Sequence, residues 1–363
     1  MTIETILTAL RNVDDPDLKQ DIVTLGMVKD VAIAGKTVRF TVVLTTPACP
    51  MKEHIKNACI NAIKLLVSAE LEVVVTMTAR VTTQSQNTIL PNVKNVIAIS
   101  SGKGGVGKST IAANLAVALA QSGAKVALID ADIYGPSVPI LFGFEAEKPR
   151  VEEVNGKNMF TPFQKHGVKL MSIGVLVPAE QAIVWRGPMA SKALRQLIFD
   201  TNWGEIDYML IDMPPGTGDI HLTLAQALPI TGAVVITTPQ KLAVSDARKG
   251  AEMFKTKEIN VPILGVVENM AYFIPDDAPE KQYFIFGEEG GANLAKALET
   301  TLLAQIPIRQ GISENSDFGT PVAVYGKTLL GRIYFELAEK LAQQVAIRNA
   351  QVPATQKVEI KWS

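Results

Sequence analysis

The chain is short of the groups that cross-link a protein, anchor it or draw it to a polyanion. Two cysteines in 363 residues, Cys49 and Cys59, exclude a disulfide framework. Three histidines, His54, His166 and His221, have no metal-ligand spacing with one another or with the cysteines, which leaves them as surface or structural residues. No apolar stretch approaches the roughly 18 residues of a spanning helix, and Met1 to Leu7 holds no basic cluster, so a cytoplasmic protein without a membrane partner is expected. A formal charge of −1 and a pI near 6.4, with no run of Lys or Arg, supply no field to gather nucleic acid.

What is present is a glycine-rich loop in a telling context. Residues 102 to 109 read Gly-Lys-Gly-Gly-Val-Gly-Lys-Ser, a complete G-x-x-x-x-G-K-[ST] pattern, between the apolar run Val96-Ile97-Ala98-Ile99 and a helix-like stretch from Thr110 to Gln121. Strand, glycine turn and helix start are what a phosphate cradle needs, because successive backbone N–H groups curl around the anion while the helix dipole points at it. Gly102, Lys103, Gly104, Gly105, Val106, Gly107, Lys108, Ser109 and Thr110 are therefore the expected ATP-binding residues. Lys108 falls where an ammonium reaches the β/γ oxygens, and Ser109 where a hydroxyl reaches Mg²⁺.

The length predicts two domains. Residues 1–83 read as a small α+β unit, with helix-spaced apolar residues over Thr2 to Val13, a hairpin of Val28–Ala34 and Thr37–Leu44 around Gly35-Lys36, an amphipathic helix from Met51 to Ala69 and an extended run from Leu71 to Ala79. A linker over 84–94 follows. Across 95–349 apolar runs alternate with helical stretches, which predicts an α/β domain with a mostly parallel sheet wrapped by helices. Its expected strands are Val96–Ser100, Val126–Asp130, Val168–Ile173, Tyr208–Asp212, Ala233–Thr237, Pro262–Glu268 and Leu302–Ile306. The stretch 329–349 closes the domain, and 350–363 reads as a loose tail.

Ligand-contacting side chains of open α/β sheets lie at the carboxyl ends of strands. Asp130 and Asp132 stand at one such end and Asp212 at another, just before Pro214-Pro215-Gly216-Thr217-Gly218-Asp219. Asp212 fits a carboxylate that holds Mg²⁺ directly or through water, with Asp130 supporting the magnesium shell. Asp132, past its strand, is better placed to orient the attacking water. Gly216, Thr217 and Gly218 offer a backbone able to sense a γ-phosphate and rearrange after hydrolysis.

The second lysine of the loop, Lys103, makes it the deviant Walker A form, which resembles the dimeric ATPases that include nitrogenase iron protein and partition ATPases. Asp130-Ala131-Asp132-Ile133-Tyr134-Gly135-Pro136-Ser137, Trp185-Arg186-Gly187-Pro188-Met189, Asp212 to Asp219 and Glu268-Asn269-Met270 together look like the Mrp/NBP35 (ApbC) family of iron-sulfur cluster carrier ATPases. The segments Asp14 to Asp17, Asp21 to Gly26 and Thr46-Pro47-Ala48-Cys49-Pro50 are similar to the MIP18-like (DUF59) domain often fused ahead of it. The resemblance implies a homodimer in which Lys103 reaches the partner's nucleotide, Asn269 reads adenine and Asp132 activates water. It also implies iron-sulfur assembly proteins or recipient apoproteins as partners.

One departure stands out. The family's C-x-x-C pair, which bridges an iron-sulfur cluster between protomers, follows Glu-Asn-Met; here that segment runs Ala271-Tyr272-Phe273-Ile274-Pro275-Asp276-Asp277-Ala278. Neither Pro275 nor Ala278 can ligate iron, and the two aspartates are hard oxygen donors. Cys49, directly ahead of a predicted helix start, is the remaining candidate for a reactive or cluster-binding thiolate, or else an inert loop thiol. Cys59 shares a helix face with Ile55, Ala62, Ile63 and Leu66 and is expected in the core.

Overall fold

The computed structural model describes residues 1–83, 89–176, 187–275, 277–326 and 328–351. Much of the expected linker and tail, with Trp185, Arg186 and Asp276, lies outside those residues. The described chain divides into two compact units, one of 1–83 with 342–351 and the other of 89–341.

The smaller unit runs α1 (Ile3–Leu10), the two-residue strands β1 (Asp14–Asp15) and β2 (Gln20–Asp21), β3 (Val28–Ala34), β4 (Thr37–Leu44), α2 (Lys52–Leu66) and β5 (Glu72–Ala79). Thr2 caps α1 by accepting the Thr5 N–H on its hydroxyl. Period-2 alternation in β4 sends Val38, Phe40, Val42 and Leu44 inward, and 3.6-residue periodicity in α2 sends Ile55, Cys59 and Ile63 to meet them. Each such side chain contributes about 2 kcal/mol on burial. The helix between β4 and β5 lets those two strands pair in parallel, while β3 and β4 form the expected antiparallel hairpin.

The larger unit contains β6 (Val93–Ser101), α3 (Lys108–Gln121), β7 (Val126–Asp130), α4 (Val138–Leu141), β8 (Arg150–Val154), β9 (Lys157–Thr161), β10 (Phe163–Lys165), β11 (Val168–Ser172), α5 (Gly187–Phe199), β12 (Ile206–Asp212), α6 (Asp219–Ala227), β13 (Gly232–Thr237), α7 (Lys241–Lys255), β14 (Ile263–Phe273), α8 (Gly290–Ala297), β15 (Leu302–Ile308), α9 (Gln310–Asp317) and the part of α10 (Leu329–Gln351) up to Leu341. Eight strands form one sheet in the order β10-β11-β7-β12-β6-β13-β14-β15, parallel except for the β10–β11 edge. Strands β7, β12 and β13 are buried at every residue, as strands covered on both faces must be.

All seven expected strands of this sheet are present. The reading missed the β8–β9 hairpin, a separate two-stranded sheet turned by Asn155-Gly156, both at positive φ. That pair is the usual sequence sign of a two-residue hairpin turn. It also ended β14 too early: the strand passes through Glu268-Asn269 to Phe273, with Met270 at φ 54°. The last turns of α10 belong by their contacts to the smaller unit, where Gln343 donates to Asp17 Oδ1 at 2.5 Å and Asn349 to the Thr82 carbonyl at 3.1 Å. Among the described residues no helix is long and apolar enough to cross a membrane.

Candidate nucleotide site

The loop 102–107 leaves the carboxyl end of the central strand β6 and enters α3. Gly107 is the N-cap residue of α3, at φ 80°, and no side chain caps the helix. Its first N–H groups thus face the loop without a side-chain acceptor, the arrangement that binds anions. A side chain at Gly102 would meet the Asp246 carbonyl carbon at 2.1 Å, so that glycine is required by close approach of backbone, while Gly107 is favoured by its left-handed φ and by Asn269 Nδ2 lying 2.2 Å from where a Cβ would be.

The side chains expected to contact nucleotide and magnesium converge here. Lys108, almost fully buried, donates to Asp212 Oδ1 at 2.5 Å and lies 3.3 Å from the Ser109 hydroxyl. Asp212 ends β12, next to β6, and is completely buried, with Oδ2 unpartnered. Burial pushes its pKa up and the Lys108 ammonium opposes that rise. Asp130 is joined to Asp212 across the β7–β12 register. Burial, then the neighbouring Asp212 charge, push Asp130 up to about 7. Its oxygens are already engaged: Oδ1 accepts the Asp132 N–H, and Oδ2 accepts the Val138 N–H and the Ser172 hydroxyl. Asp130 therefore stiffens the strand end, while the orphaned Oδ2 of Asp212 is the oxygen open to a cation.

Asp132 lies just past β7, with Oδ1 accepting the N–H groups of Tyr134 and Gly135 at 3.2 Å. Gly216, Thr217 and Gly218 link β12 to α6, and the Gly216 N–H donates to the Ser101 carbonyl at 3.0 Å. Asn269 comes from β14 and donates through Nδ2 to the Val106 carbonyl at 2.9 Å. The preceding residue, Glu268, is itself fixed: its Oε1 accepts the Gly291 N–H at 2.7 Å and its Oε2 accepts from Gln305 at 2.6 Å. Lys103, half-buried, accepts the Ser101 hydroxyl on its backbone carbonyl. Lys108 is thus paired with Asp212 and Asn269 with the Val106 carbonyl, while Asp212 Oδ2 has no partner.

A sequence profile described as "NUBPL iron-transfer P-loop NTPase" matches residues 92–344, which contain every one of these side chains. The chain belongs to that family. A second profile, "Iron-sulfur cluster assembly protein", matches residues 3–75. The iron-sulfur cluster carrier protein of Synechocystis sp. is 48% identical over 330 residues, covering 89% of this chain and 92% of its own length. The protein of that name in Escherichia coli is 42% identical over 348 residues, covering 95% and 92%. A solved structure of an Archaeoglobus fulgidus nucleotide-binding protein in complex with ADP is 38% identical, covers 66% of this chain and 92% of that one, and superposes with a TM-score of 0.56. Membership of a P-loop NTPase family agrees with a site built for nucleotide hydrolysis.

The expected thiols lie elsewhere. Cys49 is half-buried and packs against the small unit's core, and Cys59 is buried within it, its thiol pushed up to about 12 by burial. Among the described residues no group of three or more His, Cys, Asp or Glu side chains is gathered to hold a metal. After Asn269 the chain is closed instead by aromatics: Phe273 and Tyr283 exchange both backbone hydrogen bonds, and Tyr272 meets Phe284 edge-on at 6.1 Å. No function was expected of Glu268 or α7, and His221 was expected to be a surface or structural histidine. Helix α7 reaches the site through Asp246, whose backbone lies where a Gly102 side chain would go, while a Cβ at Gly250 would make only ordinary contacts, 3.8 Å from Gly102 and 3.9 Å from the Thr217 methyl.

Proposed function

We propose that the protein is an ATP-hydrolysing iron-sulfur cluster carrier that delivers clusters to apoproteins, and that its turnover is slow and coupled to rearrangement of a homodimer. The observation that carries the nucleotide half is the uncapped start of α3 with Lys108 and the open oxygen of Asp212 beside it. Lys108 would hold the β/γ oxygens, Asn269 would leave the Val106 carbonyl to bind adenine, and Asp132 would orient water. Lys103 would reach the partner's nucleotide. Ser109 and Asp212, backed by Asp130, fit Mg²⁺, which neutralises phosphate charge when bound. Gly216 to Gly218 would report the γ-phosphate.

The cargo half is supported by the family and by relatives named as cluster carriers. With Pro275 and Ala278 where the resemblance places thiolates, the ligands would be Cys49 from each protomer or thiols of the recipient. Anaerobic reconstitution with iron and sulfide, with and without an apoprotein partner, tests this: iron-sulfur absorption is expected, and its absence in both arms sinks direct carriage. A second reading follows from the same two residues, a nucleotide-driven scaffold that never holds a cluster. It requires Cys49→Ser to leave partner binding and ATP turnover unchanged.

A further inference from the structure

His221 is the third residue of α6, the helix that begins directly after Gly216–Gly218. Its Nε2 lies 3.1 Å from the hydroxyl of Ser100, the next-to-last residue of β6, and both side chains are buried. The ring meets Phe254 of α7 edge-on at 5.9 Å. Its other nitrogen, Nδ1, is buried without a partner. Burial and the Lys108 ammonium push the imidazole down to about 4, so it is neutral near pH 7.

A neutral imidazole offers one donor and one acceptor nitrogen, and the Ser100 hydroxyl meets Nε2 in either tautomer. An apolar side chain would fill this space against Phe254 without burying an idle nitrogen, so what histidine adds is the bond to Ser100. That bond has a neighbour. Gly216 N–H is held by the Ser101 carbonyl, so the start of the switch segment and the first turn of the helix that follows it are tied to consecutive residues of β6, directly before Gly102. A shift in the end of β6 as the phosphate loop fills would therefore reach the start of the segment and the first turn of α6 together.

We propose that His221, acting through Ser100, is a positioning residue that couples occupancy of the phosphate loop to the first turns of α6. The inference rests on residues 102–109 binding nucleotide, and hydrogen exchange of the full chain with ADP and Mg²⁺ separates the two claims. In the wild type, nucleotide is expected to slow exchange across 108–121 and also across 219–227. His221→Ala and Ser100→Ala should keep the slowing across 108–121 and lose at least about threefold of it across 219–227. His221→Gln, whose amide can meet the Ser100 hydroxyl, should restore it, which loss of packing alone would not allow.

Slowing across 219–227 that survives in Ser100→Ala, that is absent from the wild type, or that glutamine fails to restore overturns the coupling. Ser100→Ala removes one oxygen and keeps the test open where His221→Ala does not fold. A wild type with no slowing across 108–121 overturns the nucleotide reading itself, and the coupling with it.

Discussion

Lys108 and Asp212 are paired at 2.5 Å, both buried, so the ammonium expected at the phosphates faces the carboxylate expected at magnesium. Lys108→Ala is expected to lower phosphate release by 10²-fold or more, about the loss seen when a transition-state charge partner is removed. It also strands a buried carboxylate, at a cost of roughly 3–5 kcal/mol, and Lys108→Ala with Asp212→Asn should recover much of that in urea unfolding. Turnover within tenfold of wild type would show that the loop is misassigned.

Asn269→Ala separates base recognition from phosphate binding. The variant should bind ADP and GDP with similar affinity in calorimetry, where the wild type is expected to prefer ADP by about tenfold, the value of one lost hydrogen-bonding group of roughly 1.4 kcal/mol. An unchanged preference would remove Asn269 from the adenine site.

Gly107→Ala should lose nucleotide binding and stability together. A methyl there collides with Asn269 Nδ2 and forces a non-glycine residue to φ 80°, which costs about 1–2 kcal/mol before any collision is counted. A melting temperature and an affinity both matching wild type would contradict the geometry.

Acid should weaken the fold through His221. Its pKa falls from 6.5 to about 4 on folding, so between those values the unfolded chain binds the extra proton and stability drops as the pH is lowered. The full effect is roughly 3 kcal/mol, absent above pH 6.5 and complete below pH 4. His221→Gln should flatten that part of the stability profile; a slope identical to wild type between pH 4 and 6.5 would refute the assignment.

The two cysteines should part company. Cys49→Ser is expected to abolish iron-sulfur absorption after reconstitution, whereas Cys59→Ser should keep it and lose about 1–3 kcal/mol of stability by burying a hydroxyl in an apolar core. A cluster retained in Cys49→Ser would favour ligands supplied entirely by the partner.

The large sheet and the loop were legible because they rest on local signals: β-branched apolar runs, a glycine spacing, and carboxylates at strand ends. Legibility stopped where one element's meaning depends on another. Asp130 and Asp212 look alike in sequence, yet three donors occupy the first and leave an oxygen of the second open. His221 reads as an ordinary helical histidine until Ser100, more than a hundred residues away in the chain, arrives beside it. The Asn155-Gly156 turn was local and was missed because its strands are short and mostly exposed, with little alternation to mark them.

Gly102 has the backbone of Asp246 lying where any side chain would go, and Gly250 of the same helix faces both Gly102 and Thr217. Backbone lies against backbone only at the first of these: position 102 has room for hydrogen alone, so an outward shift of the root of the phosphate loop meets α7 at once, whereas Gly250→Ala would add only ordinary contacts to Gly102 and Thr217.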